Sequence, residues 1–317
     1  MFRWGILSNA KIAREQVVPA ILMSANGVLH GVASRSKESA RSFARQFGAA
    51  RAYGSYEALL ADDEIDGVYI PLPSSMHVDW TLRAAAAGKH VLCEKPIAMQ
   101  GDDINRLIAA RDETGVLISE AFMVYYHPQW QKVAGLIASG AIGRLRHVRG
   151  VFTYFNDNAA DFRNHADLGG GGLADVGVYP VVTTRIATGQ EPVNIQARIE
   201  FSETFGTDTY AAAQVEFDGF DLSFYCATQM ALHQSMAFHG TKGEITLNAP
   251  FNAGDYDFAE VRLANQQRSD VQVFRFAGVN QYVAQVEAFA ARAQTGSGRI
   301  FTLENSQANQ RVIDGIL

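Results

Sequence analysis

The sequence predicts an α/β fold of two domains, in which a doubly wound parallel sheet precedes an α+β domain with a large, open and mainly antiparallel sheet. Strand-like and helix-like segments alternate over the first 120 residues, whereas short alternating runs separated by turns dominate after about residue 125. The 317 residues also fit two domains of about 150 residues each. We place the domains at residues 1–122 and 123–317, with the last helix free to pack back on the first domain.

Five strands and five helices are predicted for the first domain. Short apolar runs predict the strands, at 2–7, 27–34, 66–72, 89–95 and 116–122. Helical spacing of apolar residues predicts the helices, at 14–24, 36–48, 55–64, 75–88 and 101–115. Pro19 is expected to kink the first helix, Ser36 to cap the second and Gly48 to end it. Repeated β-α-β units with apolar strands indicate a parallel sheet covered on both faces.

The second domain is predicted to be richer in strands. Its helices are predicted at 127–140, 173–188, 280–295 and 303–317. Its strands are predicted at 145–155, 194–201, 208–217, 221–230, 235–240, 243–248, 258–265 and 271–277. Turns such as Asp218-Gly219 and Lys242-Gly243 join the strands, which is typical of antiparallel pairing. A sheet with one uncovered face favours a homodimer or higher homo-oligomer formed through that face.

The composition argues against several classes of function. A net charge of −6 and a pI near 5.8 argue against a general nucleic-acid-binding protein. No apolar run reaches the ~18 residues of a membrane span, and the N-terminus lacks a signal-peptide pattern. Cys93 and Cys226 lack metal-ligand spacing and suit a reducing cytoplasm, where we expect the protein. The histidines are scattered and form no His-Glu-x-x-His motif, so no metal site is predicted.

The stretch GILSNAKIA, residues 5–13, joins the first strand to the first helix. A dinucleotide-binding loop carries G-x-G-x-x-G at this place, but its glycine positions hold Ser8, Ala10 and Ala13. A phosphate requires backbone N–H groups and a helix N-terminus that face it, and small residues still permit both. Alone, the loop fits a phosphate site and an ordinary strand-to-helix connection equally well. Its candidate cofactor contacts are Ser8, Asn9, Ala10, Lys11 and Ile12.

The end of the second strand favours the dinucleotide interpretation. A fold that prefers NAD usually places an acid there to bind the ribose 2′-hydroxyl, but this chain has Ser34 and Arg35 and no acid before Glu38. Ser34 can hydrogen-bond a 2′-phosphate, and Arg35 can pair with it or lie over the adenine. A solvated surface side chain is the other interpretation of Arg35. The pair predicts a preference for NADP, with NAD still possible.

Six landmarks, in order along the chain, carry a family resemblance. They are WGIL at 4–7, IPLPSSMH at 70–77, AGKHVLCEKP at 87–96, EAFMVYYHPQ at 120–129, GGGLADVGVY at 170–179 and GTKGEITL at 240–247. With them the chain resembles the glucose–fructose oxidoreductase/inositol dehydrogenase (Gfo/Idh/MocA) family. Its sequence pattern is most similar to that of the family's NADP-dependent xylose dehydrogenases, dimeric dihydrodiol dehydrogenases and anhydrofructose reductases. The resemblance implies a Rossmann domain followed by a substrate-binding and oligomerisation domain.

The resemblance also implies roles for individual residues. Lys95 of EKP resembles the catalytic lysine of the family, and its bond to Pro96 is expected to be cis. Asp175 and Tyr179 resemble the other polar groups over the substrate, and their i, i+4 spacing places them on one helix face. The residues that resemble cofactor contacts are Leu72, Pro73, His77, Glu94, Lys95 and Met123.

The implied reaction is hydride transfer between NADP and a sugar or cyclic diol. A partly desolvated lysine beside a positively charged nicotinamide ring has a lowered pKa, so Lys95 can accept the hydroxyl proton near neutral pH, directly or through Tyr179. Reduction reverses these roles, and Asp175 would hold a neighbouring hydroxyl or orient Lys95. Without the family pattern, a loop lysine, a helix-start aspartate and a core tyrosine are the simpler interpretations.

The chain departs from the family pattern around the expected pocket. Ser74 replaces an asparagine, Val124 and Tyr125 stand where relatives carry an arginine, and Val182 replaces a polar residue after the unusual Pro180. These changes are compatible with hydride transfer, but they do not identify the substrate.

Two alternatives and one further residue remain. A cofactor-binding sensor or regulator without turnover is the main alternative to an enzyme. A glycosidase with tightly held NAD is disfavoured because Ser34 and Arg35 favour exchangeable NADP. Arg163 precedes the glycine run at 169–172 and is a candidate for contact with substrate or cofactor.

Overall fold

In a computed structural model, which describes residues 1–317, the chain divides into two compact units. The first unit comprises Met1–Met123 and Gln281–Gln307, and the second comprises Val124–Asn280 and Ala308–Leu317. This division differs from the sequence-based one because residues 281–307 group with the N-terminal segment rather than with the second domain.

Aromatic packing explains why the late segment joins the first unit. The Phe289 ring lies 5.2 Å from Trp4 and 6.0 Å from Phe2 between centroids, and all three side chains are buried. Phe301 packs against Phe122 with centroids 5.2 Å apart. Burial of such rings contributes strongly to stability, so these contacts tie the late segment to the N-terminal sheet.

The first unit is built on a parallel sheet, as predicted, but the sheet has six strands rather than five. Its strands are β1 (Phe2–Leu7), β2 (Gly27–Ala33), β3 (Arg51–Tyr53), β4 (Gly67–Ile70), β5 (His90–Cys93) and β6 (Ile118–Glu120). Their order is β3-β2-β1-β4-β5-β6, the doubly wound order whose topological switch point lies between β1 and β4. Strand β3 was not predicted, because three partly exposed residues form no apolar run.

The chain contains nine α-helices. They are α1 (Val18–Met23), α2 (Lys37–Phe47), α3 (Tyr56–Leu60), α4 (His77–Ala86), α5 (Ile104–Thr114), α6 (Pro128–Ala138), α7 (Val178–Thr188), α8 (Gln281–Thr295) and α9 (Leu303–Ile316). The Ser36 side chain caps α2 and Gly48 ends it at φ 73°, as predicted. None of the nine has the length and apolarity needed to cross a membrane.

Two predicted helices begin as π-helical turns, which their sequence patterns did not indicate. Ala13–Val17 precedes α1, so the expected break near Pro19 falls at the junction of two helical segments. Leu173–Gly177 precedes α7 in the same way. Single π-helical turns are frequent at functional sites, and both of these follow loops that carry candidate residues.

The second unit is built on an eight-stranded sheet. Its strands are β7 (Leu145–Phe155), β8 (Asn194–Phe201), β9 (Asp208–Phe217), β10 (Phe220–Ala227), β11 (Gln229–Gly240), β12 (Gly243–Leu247), β13 (Glu260–Asn265) and β14 (Val271–Arg275). The order is β14-β13-β12-β11-β7-β10-β9-β8, antiparallel except for the parallel pair β7 and β10. The predicted strand at 221–230 is wrong in one respect, because β10 ends before Thr228 and β11 begins beyond it.

One face of this sheet is covered by helix α7. A Cβ on Gly150 of β7 would lie 2.8 Å from Cβ of Pro180, so glycine permits the close approach of helix and strand. On the other face Arg149, Gln214 and Glu216 are exposed. The expected open, mainly antiparallel sheet is therefore confirmed.

Candidate active site

The loop after β1 forms a glycine-like turn without glycine. Ser8 has φ 134°, a backbone conformation that strongly favours glycine. The Ser8 Oγ accepts a hydrogen bond from the Ala10 N–H at 3.0 Å, and Arg14 N donates to the Ala10 carbonyl at 3.1 Å as the first helical turn begins. A helix N-terminus thus lies directly beyond the strand end, where a phosphate would be bound.

The side chains of this loop have different surroundings. Asn9 Nδ2 donates to Ser39 Oγ on α2, whereas Asn9 Oδ1 is buried without a hydrogen-bond partner. Lys11 is exposed and lies 3.9 Å from Glu15, and Ile12 is half-buried. Buried polar atoms are normally hydrogen-bonded, so the unpaired Asn9 Oδ1 is an acceptor that a ligand hydroxyl would satisfy.

The end of β2 lies beside this loop in the sheet order. Ser34 N donates to the Tyr53 carbonyl at 3.2 Å, and Ser34 Oγ accepts from Ser36 N at 3.4 Å. Arg35 is exposed. This position is compatible with both interpretations of the arginine, as a contact to a 2′-phosphate and as a surface side chain.

The loop after β5 carries half-buried Lys95, and the Lys95–Pro96 peptide bond is cis, as expected. His77, only 1% exposed, has Nδ1 2.7 Å from the Pro96 carbonyl oxygen and Nε2 2.7 Å from the Leu72 carbonyl oxygen. The ring therefore joins the loops after β4 and β5 through both nitrogens, rather than offering a nitrogen to the cofactor. Leu72 is buried and Pro73 is half-buried.

Two carboxyl groups hold the same loop. Glu94 Oε2 accepts from Lys95 N at 3.3 Å, and Glu94 Oε1 accepts from the Tyr69 hydroxyl at 2.5 Å. Glu120, at the end of β6, is 3% exposed and accepts from Ile97 N at 2.9 Å. Burial raises the pKa of Glu120 to about 7.

Glu120 was not predicted as a site residue, although it begins the EAF landmark. An acid that ends an apolar strand was the available signal. Met123 follows it in the chain and is 3% exposed. The predicted cofactor residues thus lie in the loops and helix starts that follow β1, β2, β4, β5 and β6, at the carboxyl edge of the parallel sheet where such folds bind ligands.

In the second unit, a hydrogen-bonded cluster forms at the start of the α7 segment. Asp175 Oδ2 accepts from the Tyr154 hydroxyl at 2.6 Å and from Arg163 Nε at 3.0 Å. Arg163 Nη1 also lies 3.3 Å from Asp161 Oδ1. Sequence reasoning did not identify Tyr154 as a site residue, although its hydroxyl donates to Asp175. Burial raises the pKa of Tyr154.

Tyr179 lies one helical turn beyond Asp175. It is 5% exposed, and its ring centroid lies 5.5 Å from Phe152 and 5.4 Å from Phe251. The Tyr179 ring is therefore fixed by aromatic packing, with a small exposed fraction.

The glycine run ahead of Asp175 permits close packing. Gly171 has φ 136°, and a Cβ there would lie 2.1 Å from Asp208 Oδ1. Asp208 is 6% exposed and its Oδ2 accepts from Leu173 N at 2.6 Å. Asp208 therefore caps the helical segment that carries Asp175 and Tyr179. Sequence reasoning missed it, because nothing local marks a strand-start aspartate as buried.

A third polar cluster lies elsewhere in the first unit. His30, Asp62 and Glu64 approach one another closely enough to share a cation. Arg51 pairs with both carboxylates, at 2.8 Å from Asp62 Oδ2, so a guanidinium already offsets part of their charge.

Both units match models of known families. Residues 2–122 match the oxidoreductase family with an NAD-binding Rossmann fold, and residues 130–246 match the GFO/IDH/MocA C-terminal domain. An uncharacterized oxidoreductase, ORF334, of Rhizobium meliloti is 40% identical over 320 residues, which cover 100% of this chain and 96% of that protein.

Relatives with named activities cover the chain equally well. D-xylose 1-dehydrogenase (NADP(+)) 2 of Haloferax volcanii is 36% identical, over 99% of this chain and 95% of the relative. The crystal structure of the 3-ketoreductase KijD10 from Actinomadura kijaniata, in complex with NADP and TDP-benzene, superposes with a TM-score of 0.91 at 30% identity, covering 99% of this chain and 96% of that one. With both units matched and relatives aligned along its whole length, the chain belongs to the Gfo/Idh/MocA family of oxidoreductases.

Proposed function

We propose that the chain is an NADP-dependent oxidoreductase that transfers a hydride between nicotinamide C4 and a hydroxyl or carbonyl carbon of a sugar or cyclic diol. Lys95 and Tyr179 act as its acid–base pair. The observation that carries the proposal is the Lys95 loop, whose backbone is held by His77, Glu94 and Glu120 at the carboxyl edge of the sheet. Such convergence on one half-buried lysine is what a precisely placed proton carrier requires.

The residues of the first unit fit a dinucleotide. The φ of Ser8 lets the backbone turn as tightly as glycine would, and the helix N-terminus beyond it suits a pyrophosphate. The unpaired Asn9 Oδ1 fits a hydroxyl donor. Ser34 and Arg35 would bind the 2′-phosphate, and NADP is named for both the xylose dehydrogenase and the ketoreductase structure. When bound, the nicotinamide supplies the hydride acceptor or donor.

The chain's own groups then move the proton. During oxidation the substrate hydroxyl loses its proton to Lys95 Nζ, directly or through the Tyr179 hydroxyl. During reduction the same groups donate a proton to the carbonyl oxygen. Asp175, held by Tyr154 and Arg163, accepts a hydrogen bond from a neighbouring substrate hydroxyl.

The departures from the family pattern do not favour a sensor without turnover. Val182 is fully buried in α7, and Pro180 packs against Gly150. The apolar side chain of Val182 therefore fits its buried position in the core. We further infer a cytoplasmic protein, since Cys93 and Cys226 are buried free thiols, and a homo-oligomer formed through the open face of the second sheet.

The test is a panel of pentoses, hexoses and cyclic diols, assayed by NADPH absorbance with NADP and then with NAD. Turnover of at least one compound, faster with NADP, is the expected result. Firm NADPH binding without turnover of any compound would refute the proposal of an enzyme and favour a cofactor-binding sensor or regulator.

A further inference from the structure

The segment that leads from β7 to Tyr179 is strongly acidic. Between residues 155 and 179 it contains a single arginine, Arg163, and no lysine. Its carboxylates are Asp157, Asp161, Asp167 and Asp175. The segment surrounds the helix start that carries two of the proposed active-site residues, so its charge acts on whatever binds there.

Two carboxylates already engage the guanidinium of Arg163, through Nε and Nη1. Its Nε donates to Asp175 at 3.0 Å, its Nη1 lies 3.3 Å from Asp161, and the group stacks over the Phe162 ring at 4.7 Å. The charge of Asp175 raises the pKa of Arg163, so the guanidinium remains charged. An arginine that recognises phosphate must offer its donor fork to the phosphate oxygens, and here two carboxylates hold it.

A further carboxyl group adds to the negative field. Asp208 is 6% exposed and is hydrogen-bonded through the backbone N–H groups of Leu173 and Gly172. Burial, and then the charge of Asp175 among lesser causes, raises the pKa of Asp208. No lysine or arginine pairs with Asp208 in a salt bridge.

We propose that Arg163, neutralised by Asp161 and Asp175, sets the preference of the site for uncharged substrates. The site then selects uncharged sugars or diols over phosphorylated, carboxylated or nucleotide-linked ones. The inference rests on the proposed function, which places the substrate at Asp175 and Tyr179. An anionic substrate beside these carboxylates binds more weakly, because no free positive charge compensates the repulsion. The repulsion grows as water is excluded from the site.

The experiment compares matched substrate pairs that differ in one remote anion. D-Glucose is paired with D-glucose 6-phosphate and with D-glucuronate, and D-xylose with D-xylose 5-phosphate, all with saturating NADP. The neutral member is expected to have a kcat/KM at least about tenfold higher, and the difference should shrink between about 20 mM and about 200 mM salt, since salt screens exposed charges. Equal or faster turnover of the anionic members overturns the inference and leaves the proposed function standing.

Two variants assign the effect to Arg163. Asp161→Asn keeps an oxygen that accepts from Arg163 N and Nη1 but removes the negative charge beside the guanidinium. It should therefore narrow the kcat/KM ratio of neutral to anionic substrates several-fold. Asp167→Asn removes an equal charge from an exposed residue that does not contact Arg163, and it should narrow the ratio less. Equal effects of the two variants overturn the role of Arg163.

A panel without any turnover would refute the proposed function instead. In that event the same pairs are titrated into the NADPH complex and followed by NADPH fluorescence. Tighter binding of the neutral members supports the charge selection, and tighter binding of the phosphates overturns it.

Discussion

The Lys95 loop and the Asp175 helix start are positioned by opposite means. Around Lys95, the surrounding side chains bind the backbone: His77 at the Pro96 carbonyl, Glu94 at Lys95 N and Glu120 at Ile97 N. At Asp175 the carboxylate itself is held, by Tyr154 and Arg163. Under the proposed function, the group that exchanges a proton is placed through its backbone, whereas the group that must keep its charge and direction is held at its own atoms.

The comparison extends to how each region tolerates change. The Lys95 loop depends on buried ionisable groups, so its stability should respond to pH. The Asp175 helix start depends on backbone shape at Gly171 and on charge pairing, so it should respond to added side-chain atoms.

Gly171→Ala is expected to have the largest effect on stability. Its φ of 136° is strained for alanine, and the added Cβ would meet Asp208 Oδ1, so about 3 kcal/mol or more of unfolding free energy should be lost. Urea denaturation followed by circular dichroism measures this loss. Gly189→Ala is the matched control at the other end of the same helix, where φ is 68° and the space is open, so only about 1 kcal/mol should be lost. Similar losses would show that Asp208 does not shape the helix start.

Glu120→Gln should change how stability depends on pH. Because burial raises the pKa of Glu120 from 4.5 to about 7, the folded state takes up a proton between these values, and stability falls as pH rises through that window. Glutamine still accepts from Ile97 N but cannot ionise. The variant should therefore gain roughly 3 kcal/mol relative to wild type between about pH 4.5 and about pH 8.

Denaturation midpoints of both proteins at the two pH values check this prediction. A constant difference between wild type and variant would mean that Glu120 titrates normally, and the contrast with the charge-held helix start would fail.

Arg35→Ala should have a smaller effect than Gly171→Ala and Glu120→Gln, and this effect should be confined to cofactor binding. Loss of an exposed charge-assisted contact to the 2′-phosphate should weaken the binding of NADPH about tenfold and leave the binding of NADH nearly unchanged. Fluorescence titrations of both cofactors provide the measurement. Arg41→Ala, an exposed arginine on α2, is the control and should alter neither affinity. Equal weakening of NADPH and NADH by Arg35→Ala would rule out the 2′-phosphate contact.

Much of the fold could be predicted because local patterns determine it. The alternating run at 145–155 gave β7 with its observed bounds, and Ser36 and Gly48 marked the ends of α2. The parallel pairing of β7 with β10 could not be predicted, since it joins strands about 75 residues apart. The positive φ of Ser8 also escaped prediction, because serine rarely adopts it.

The candidate site was predicted less completely. Landmarks in the sequence led to Lys95, Asp175 and Tyr179. Glu120 and Asp208 were missed, because a single charged residue in a strand is normally exposed and only tertiary packing buries it. Their partners, Ile97 N and Leu173 N, are backbone groups that leave no trace in residue types.

The most direct test of the account is the turnover of Lys95→Ala, measured by NADPH absorbance with the best substrate of the panel and compared with Lys242→Ala at an exposed turn. Removal of the proton carrier should lower kcat by about 10²- to 10⁴-fold, while the NADPH dissociation constant, from fluorescence, changes less than about threefold. Lys242→Ala should match wild type in both quantities. A Lys95→Ala variant that retains wild-type kcat would contradict the account, because another group would then carry the proton.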